Sequence, residues 1–177
     1  MRNATQEEVL RLFEYREDGL YWKERRRSDF KTEGRWQNWN QRYSNQKAGS
    51  KSGPYVNVSI NKIRYQEHRL VFLMFHGITP QIIDHIDGNR QNNNISNLRA
   101  STHTENLRNS KRPKHNQSGY KNVGWNKQKN KWQVKLTISK KSKSFGFYND
   151  IDLADLVAYE ARRLYFGCFA NHGTQGV

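Results

Sequence analysis

The sequence is short of the residues that cross-link or anchor a chain. Cys168 is its only cysteine, so an internal disulfide is impossible and a cysteine-built zinc finger is excluded. Hydrophobic residues make up only 34% of the 177 positions. That is thin for one large core and better suited to small sheet-and-helix modules. No apolar run approaches the roughly 18 residues that a membrane-crossing helix requires. The first eight residues lack the apolar centre of a signal peptide, and the chain is accordingly expected to be soluble, intracellular and free of membrane. Acidic residues are scarce as well: 16 Asp and Glu stand against 31 Lys and Arg, a formal net charge of +15. An excess this large must be solvated or neutralised by a polyanion. Nucleic acid is the obvious one, because each phosphate paired with Lys or Arg releases counterions. Ribosomal and membrane-surface proteins share this charge, so it does not choose a function.

What is present falls into segments. Residues 7–15 have the apolar spacing of a short helix, through Val9, Leu10, Leu12 and Phe13. Asp18-Gly19 breaks it, and residues 20–22 read as a strand. Residues 23–53 are polar, basic and dotted with Gly and Ser, which predicts a loop or insertion. Trp36 and Trp39 within it are open to two readings, stacking on bases or forming a local cluster. Residues 55–65 alternate around an Asn61-Lys62 turn and predict a hairpin. Residues 67–76 predict a helix with Leu70, Val71, Met74 and Phe75 on one side, stopped by Gly77 and Pro80, with His68 and His76 in structural roles.

Residues 110–118 form a polar, basic linker and the expected domain boundary. Beyond it three strands are predicted at residues 120–125, 131–139 and 143–148. In the middle one Trp132, Val134, Leu136 and Ile138 share one face, and Gln133, Lys135 and Thr137 the other. Asn149 or Asp150 caps a helix to about Tyr165, with Ala154, Val157, Ala158, Ala161 and Leu164 as its buried stripe and Gly167 at its end. The fold class is α+β in two modules: residues 1–109, the linker 110–118, and a three-strand-plus-helix module at 119–177.

The chemistry lies between residues 82 and 109. Asp84-His85 precedes Ile86-Asp87-Gly88-Asn89, a tight-turn signal. Thr102 and Glu105 make a capping box, so a helix begins there with Asn106 in its first turns. Strand, loop, strand and helix can thus bring Asp84, His85 and Asn106 together. A carboxylate and an amide oxygen are donors of the kind Mg²⁺ takes, with Mn²⁺ able to replace it. A neutral imidazole titrates near the working pH and can take a proton from an attacking water. That set is sufficient for metal-assisted hydrolysis of a phosphodiester.

The stretch from Asp84 to Asn106 resembles the HNH homing endonucleases of phages and introns, whose pattern is roughly D-H-x-x-G-x-x-x-x-N-x-x-x-N-L-R followed by a helix. Tyr65-Gln66-Glu67-His68-Arg69-Leu70 and Gly19-Leu20-Tyr21-Trp22 look like the family's lead-in, so the resemblance spans most of residues 5–109. It implies a ββα-metal fold, Asp84 and Asn106 as metal ligands, and His85 as general base. It also implies that Asn97 ties the loop by hydrogen bonds and keeps His85 oriented. Many members place further histidines on the metal, whereas here the final position is Asn106, with His103 a competing donor nearby. Asp87 serves its turn or touches metal-bound water.

Residues 118–173 resemble the DNA-binding domain of plant ethylene-response factors. The matching features are Gly119-Tyr120-Lys121-Asn122-Val123, Lys131-Trp132, Phe145-Gly146-Phe147-Tyr148 and the Ala154, Ala158, Tyr159, Ala161 helix. The resemblance implies that the sheet enters the major groove with the helix behind it. Lys121, Asn126, Gln133, Lys135 and Thr137 would then face the DNA. Lys111, Arg112 and Lys114 of the linker, lying between two DNA-facing units, are expected to track phosphates or enter the minor groove. No Asp or Glu occurs between Glu105 and Asp150. Arginine, the commonest guanine reader, is scarce on this sheet, and no target sequence follows.

The expectation is therefore a metal-dependent, site-specific endonuclease of the homing type. It would act as a monomer on double-stranded DNA, take no small-molecule substrate, and be phage-encoded in a bacterial host. A single active site nicks one strand per engagement; a double-strand break is the alternative product. The rival readings are a non-catalytic, sequence-specific DNA-binding regulator and an RNA-binding or ribosomal protein.

Overall fold

The structure, a computed structural model, describes residues 3–113 and 115–173. Lys114 lies outside the described residues. The chain divides into two compact units, residues 1–101 and 102–177, each mixing helices with small antiparallel sheets.

The first unit begins with α1 (Gln6–Leu12), capped by the Thr5 side chain on the Glu8 amide. The predicted helix over residues 7–15 stops early. Phe13–Arg16 is strand β1, paired antiparallel with β2 (Gly19–Trp22). Side-chain burial decides this: Phe13 is buried with its ring 4.4 Å from that of Trp22, and the Tyr15 hydroxyl accepts from the amide of Ile95.

Residues 23–53 contain more than a loop. Helix α2 (Glu33–Tyr43) starts at the Thr32 cap and has no buried residue. One side is nonetheless fastened down. Trp36 Nε1 and Asn40 Nδ2 both donate to the Arg25 carbonyl. Trp39 meets Trp22 edge-on and packs on Phe30 and Tyr43. Trp36 and Trp39 thus form a local cluster.

Strands β3 (Ser50–Ser52), β4 (Tyr55–Ile60) and β5 (Ile63–Gln66) form a three-stranded sheet in that order. The Asn61-Lys62 turn between β4 and β5 has both residues at positive φ, as a tight hairpin of this hand requires. Helix α3 (Glu67–His76) follows with the predicted bounds. Its Leu70 and Val71 pack with Val9, Leu12, Leu20 and Val58 in one core. Each such side chain contributes about 1.5–3 kcal/mol by leaving water. Strands β6 (Ile82–His85) and β7 (Leu98–Ser101) close the unit as an antiparallel pair, with Asp84 opposite Arg99 and His85 opposite Leu98.

In the second unit α4 (His103–Arg108) carries the complete Thr102/Glu105 capping box. Strands β8 (Val123–Asn126), β9 (Lys131–Ile138) and β10 (Lys141–Tyr148) form a sheet in the order β10-β9-β8. Helix α5 (Ile151–Phe166), capped by Asp150, packs on it. Val134 and Leu136 of β9 and Ala154 and Ala158 of α5 are fully buried, matching the expected alternation. Leu164, expected in the buried stripe, is 77% exposed. At roughly 3.6 residues per turn, Tyr165 continues the line of Ala154, Ala158 and Ala161, and Leu164 falls to its side.

The division between units falls after Ser101, ahead of the expected linker. Helix α4, Ser110 and Asn116 are tied to the rest of the second unit by hydrogen bonds. Lys121 Nζ donates to the carbonyls of Arg108 and Ser110, and Asn171 Nδ2 to that of Asn109. Asn116 Nδ2 donates to the carbonyls of Tyr120 and Val123. No helix among the described residues is long and apolar enough to cross a membrane.

Candidate active site

The β6–β7 hairpin sets the site. Asp84 is buried, and its Oδ2 accepts from Nε and Nη2 of Arg99, its cross-strand partner, at 2.9 and 2.7 Å. After His85 the chain turns sharply at Gly88, whose φ of +67° suits glycine and whose amide donates to the His85 carbonyl.

Asn97 holds that turn from the other end. Its Oδ1 accepts from the Asp87 amide at 3.0 Å. Its Nδ2 donates to Asp87 Oδ1 at 2.9 Å and to the Asn92 carbonyl at 2.8 Å. The Ile86 amide adds a bond to the Asn97 carbonyl. Burial works to raise the Asp87 carboxyl. Hydrogen bonds from Asn92, the Asn89 amide and Asn97 outweigh it and hold the group below its ordinary value. Asp87 is thus a fixed acceptor inside its own loop.

The His85 ring is buried, with Nε2 lying 3.1 Å from Asn93 Oδ1. Asn93 Nδ2 donates to Glu67 Oε2 at 2.6 Å, and Glu67 Oε1 accepts from the amide of Leu20 at 2.9 Å. Both Glu67 and Asn93 are buried. The His68 ring stands edge-on to that of His85, centroids 5.0 Å apart. Burial, then the electrostatic influence of His85 and of the Arg69 charge, pushes His68 down to about 3, so it stays neutral.

Asn93 and Glu67 were not singled out in the sequence. Asn93 occupies the earlier Asn of the D-H…N…N pattern, a usable signal. Glu67 had none, since its partners lie 47 residues before it and 26 after it.

The structure therefore brings Asp84, His85 and Asn97 onto one hairpin. Asn106 lies exposed on α4 in the second unit, as does His103. Among the described residues no group of three or more His, Cys, Asp or Glu forms a metal cage. The Asp84 carboxylate is an oxygen donor of the kind a hard cation takes, and Mg²⁺ keeps most of its waters when held by one or two protein oxygens.

In the second unit the open face of the sheet carries most of the expected DNA-facing residues. Lys135 and Thr137 are exposed. Asn126 Nδ2 donates to Gln133 Oε1, and Gln133 Nε2 donates to Ser144 Oγ, giving a polar patch on that face. Lys111 and Arg112 are exposed, and Arg112 Nη1 donates to the Asn116 carbonyl. Lys121 does not face outward as expected: it is buried with its ammonium on two carbonyls. Asn122, at φ +68°, breaks the strand alternation just before β8, so parity counted from the strand does not extend to Lys121. Burial, then the neighbouring Arg162 charge, lowers Lys121 to about 8.

Residues 65–108 match the family model described as HNH endonuclease. Over 90 residues the chain is 41% identical to Protein 3.8 of Escherichia phage T7, covering 50% of this chain and 72% of that protein. No solved structure matches.

Proposed function

This chain belongs to the HNH endonuclease family, and on that premise we propose that it is a metal-dependent, site-specific endonuclease of the homing type. It hydrolyses a phosphodiester bond of double-stranded DNA. The observation that carries this reading is the fixed pair on β6: Asp84 clamped by Arg99, and next to it His85 with its ring anchored on Asn93.

His85, as the general base, accepts the proton of the water that attacks the phosphate. Asn97 fixes the turn that follows His85 and so the backbone from which the imidazole projects. Asp84 and Asn106 would hold the metal ion, Mg²⁺ or Mn²⁺ in its place, which when bound supplies positive charge to the phosphate and the departing oxygen. Arg99 keeps the Asp84 carboxylate in one orientation. In chain order β6, β7 and α4 follow the strand-strand-helix succession of a ββα motif.

The sheet of the second unit is proposed as the DNA-reading module, in the manner of the ethylene-response-factor domain. Its support is an open face bearing Asn126, Gln133, Lys135 and Thr137, with no acidic residue on any of its three strands. Lys111 and Arg112 provide phosphate contacts ahead of it.

The experiment is cleavage of supercoiled plasmid carrying candidate phage or host loci, with Mg²⁺ and with chelator, by wild type and by His85→Ala. Metal-dependent nicked or linear product that disappears in the mutant is expected. A target bound well by both proteins and cut by neither would overturn the nuclease reading in favour of a DNA-binding regulator.

A further inference from the structure

The chain of side chains behind His85 has a directional hydrogen-bond order. The Leu20 amide can only donate, and it is met by Glu67 Oε1 at 2.9 Å. Glu67 presents its other oxygen, Oε2, to Asn93 at 2.6 Å. A carboxylate only accepts, so the Asn93 group facing it must be the NH₂ end of the amide. That leaves Asn93 Oδ1 facing His85 Nε2 at 3.1 Å. Turning the amide over would set its carbonyl against the carboxylate, two acceptors face to face in a buried place. An acceptor opposite Nε2 is satisfied only by an N–H there.

We propose that Glu67 and Asn93 are positioning residues that lock the His85 imidazole in the tautomer with its proton on Nε2. The catalytic meaning of this lock rests on the nuclease reading above; the lock itself does not. The arrangement is built in from both ends. Glu67 is 1% exposed, so little of its carboxylate is open to water in place of these partners. Gly19, at φ +137°, leaves the space into which Glu67 reaches: a Cβ there would lie 2.6 Å from Glu67 Oε1. His68 packs edge-on against the His85 ring and, being neutral, adds no charge beside the Nε2–H.

The same order predicts how to invert the tautomer without changing volume. In Glu67→Gln the Leu20 amide still demands an acceptor, so the glutamine carbonyl stays there and its NH₂ turns to Asn93. Asn93 then flips, offers its own NH₂ to His85, and the proton moves to Nδ1. Adding Asn93→Asp restores the order. The new aspartate accepts from the introduced glutamine amide on one oxygen and from His85 Nε2 on the other.

The test is ¹⁵N NMR of the imidazole nitrogens in the full-length chain without DNA, at a pH where His85 is neutral. The His85 signals are assigned by their loss in His85→Gln. Wild type should show the Nε2-protonated tautomer, Glu67→Gln the Nδ1-protonated one, and the Glu67→Gln/Asn93→Asp double variant the wild-type pattern again. Cleavage by Glu67→Gln should fall in kcat by roughly 10²-fold or more with DNA affinity unchanged, since the general base would be held in the wrong tautomer. The double variant should recover most of it. An Nδ1-protonated wild type, or a Glu67→Gln spectrum identical to wild type, overturns the proposal even if the enzyme cuts DNA. The predicted tautomers in a protein that cuts nothing uphold the lock and remove the nuclease reading alone.

Discussion

The two units bury polar groups in different ways. In the first, Glu67, Asp84, His85, Asn93 and Asn97 are buried, and each is held by at least one other side chain. In the second, the buried cations reach backbone instead. Lys121 Nζ is on the carbonyls of Arg108 and Ser110, and Arg162 Nη1 is on that of Lys121. A side chain bonded to a side chain fixes the orientation of a chemical group. A side chain bonded to backbone staples one stretch of chain to another. The first unit thus uses its buried polarity chiefly for orientation, with Glu67 also stapling the Leu20 amide, and the second for holding a small core and its N-terminal segment together.

The largest effect expected from breaking this contrast is on stability in the second unit. Arg162 is 1% exposed, bonds to Lys121 O and His172 O, and lies 3.7 Å from Asp155. Arg162→Ala leaves those groups unpaired and should cost about 3–5 kcal/mol, as removal of one partner from a buried charged set does. Chemical denaturation followed by hydrogen exchange should place the loss in α5 and β9, with the amides of Val58 and Val71 unchanged. Equal loss in both units, or a loss below about 1 kcal/mol, would dissolve the distinction between stapling and orienting groups.

The same distinction marks how far the sequence could be read. Helix α3, the Asn61-Lys62 hairpin and the Thr102/Glu105 cap were legible because each is specified by neighbours within a few residues. Asp84, His85 and Asn97 were legible through the spacing of one hairpin. Helix α2 was not. Its fastened side uses Trp36, Trp39, Asn40 and Tyr43 against Arg25 and other aromatics, so it carries no aliphatic stripe, and Gly34 in its first turn argues for a loop. Leu164 was misread because an apolar residue near the buried stripe looks the same as one on it. Lys121 was misread because positive φ at Asn122 resets strand parity. Glu67 and Asn93 meet only through the tertiary fold. The motif spacing could have marked Asn93, whereas nothing local announces Glu67.

The next effects are on pH dependence, and the two units should answer at opposite ends of the scale. His68, packed on His85 and near Arg69, titrates near 6.5 when unfolded but near 3 when folded. Between those values the unfolded chain binds more protons, so stability falls as pH drops from about 6.5. By pH 4 the cost is on the order of 3 kcal/mol. Lys121 titrates near 10.5 unfolded and near 8 folded. Across that interval the unfolded chain again holds more protons, so stability rises with pH from 8 upward, the burial penalty being fully present below 8. His68→Phe should flatten the acid slope only, and Lys121→Met the alkaline slope only. Unfolding curves from pH 4 to 10 for the three proteins decide this; one variant altering both slopes would show the groups to be coupled.

Smaller again is Asn97→Ala. Asn97 makes two hydrogen bonds to Asp87 and one to the Asn92 carbonyl. Losing them should cost about 1–3 kcal/mol, less than Arg162→Ala. Yet cleavage should fall far more than stability does, because the turn that follows His85 is released. Circular dichroism melts beside plasmid cleavage rates separate the two. Equal, small losses in both would reduce Asn97 to an ordinary loop residue.

The smallest effect tests the second unit's packing. Leu164 is 77% exposed whereas Ala161, one turn earlier, is 5% exposed against the sheet. Replacing Leu164 with Gln removes apolar surface that is already in water, so the change should stay within about 0.5 kcal/mol. Ala161→Leu adds bulk to a side chain packed in the core at the floor of a groove lined by Phe145 and Val157, and should cost about 1–3 kcal/mol through displaced neighbours. The pair of melts reads the rotation of α5 directly. If Leu164→Gln were the more damaging, the helix would be turned so that Leu164 met the sheet. The alanine line that lets α5 approach β9 closely, and with it the stapled core on which the contrast between the units depends, would have to be redrawn.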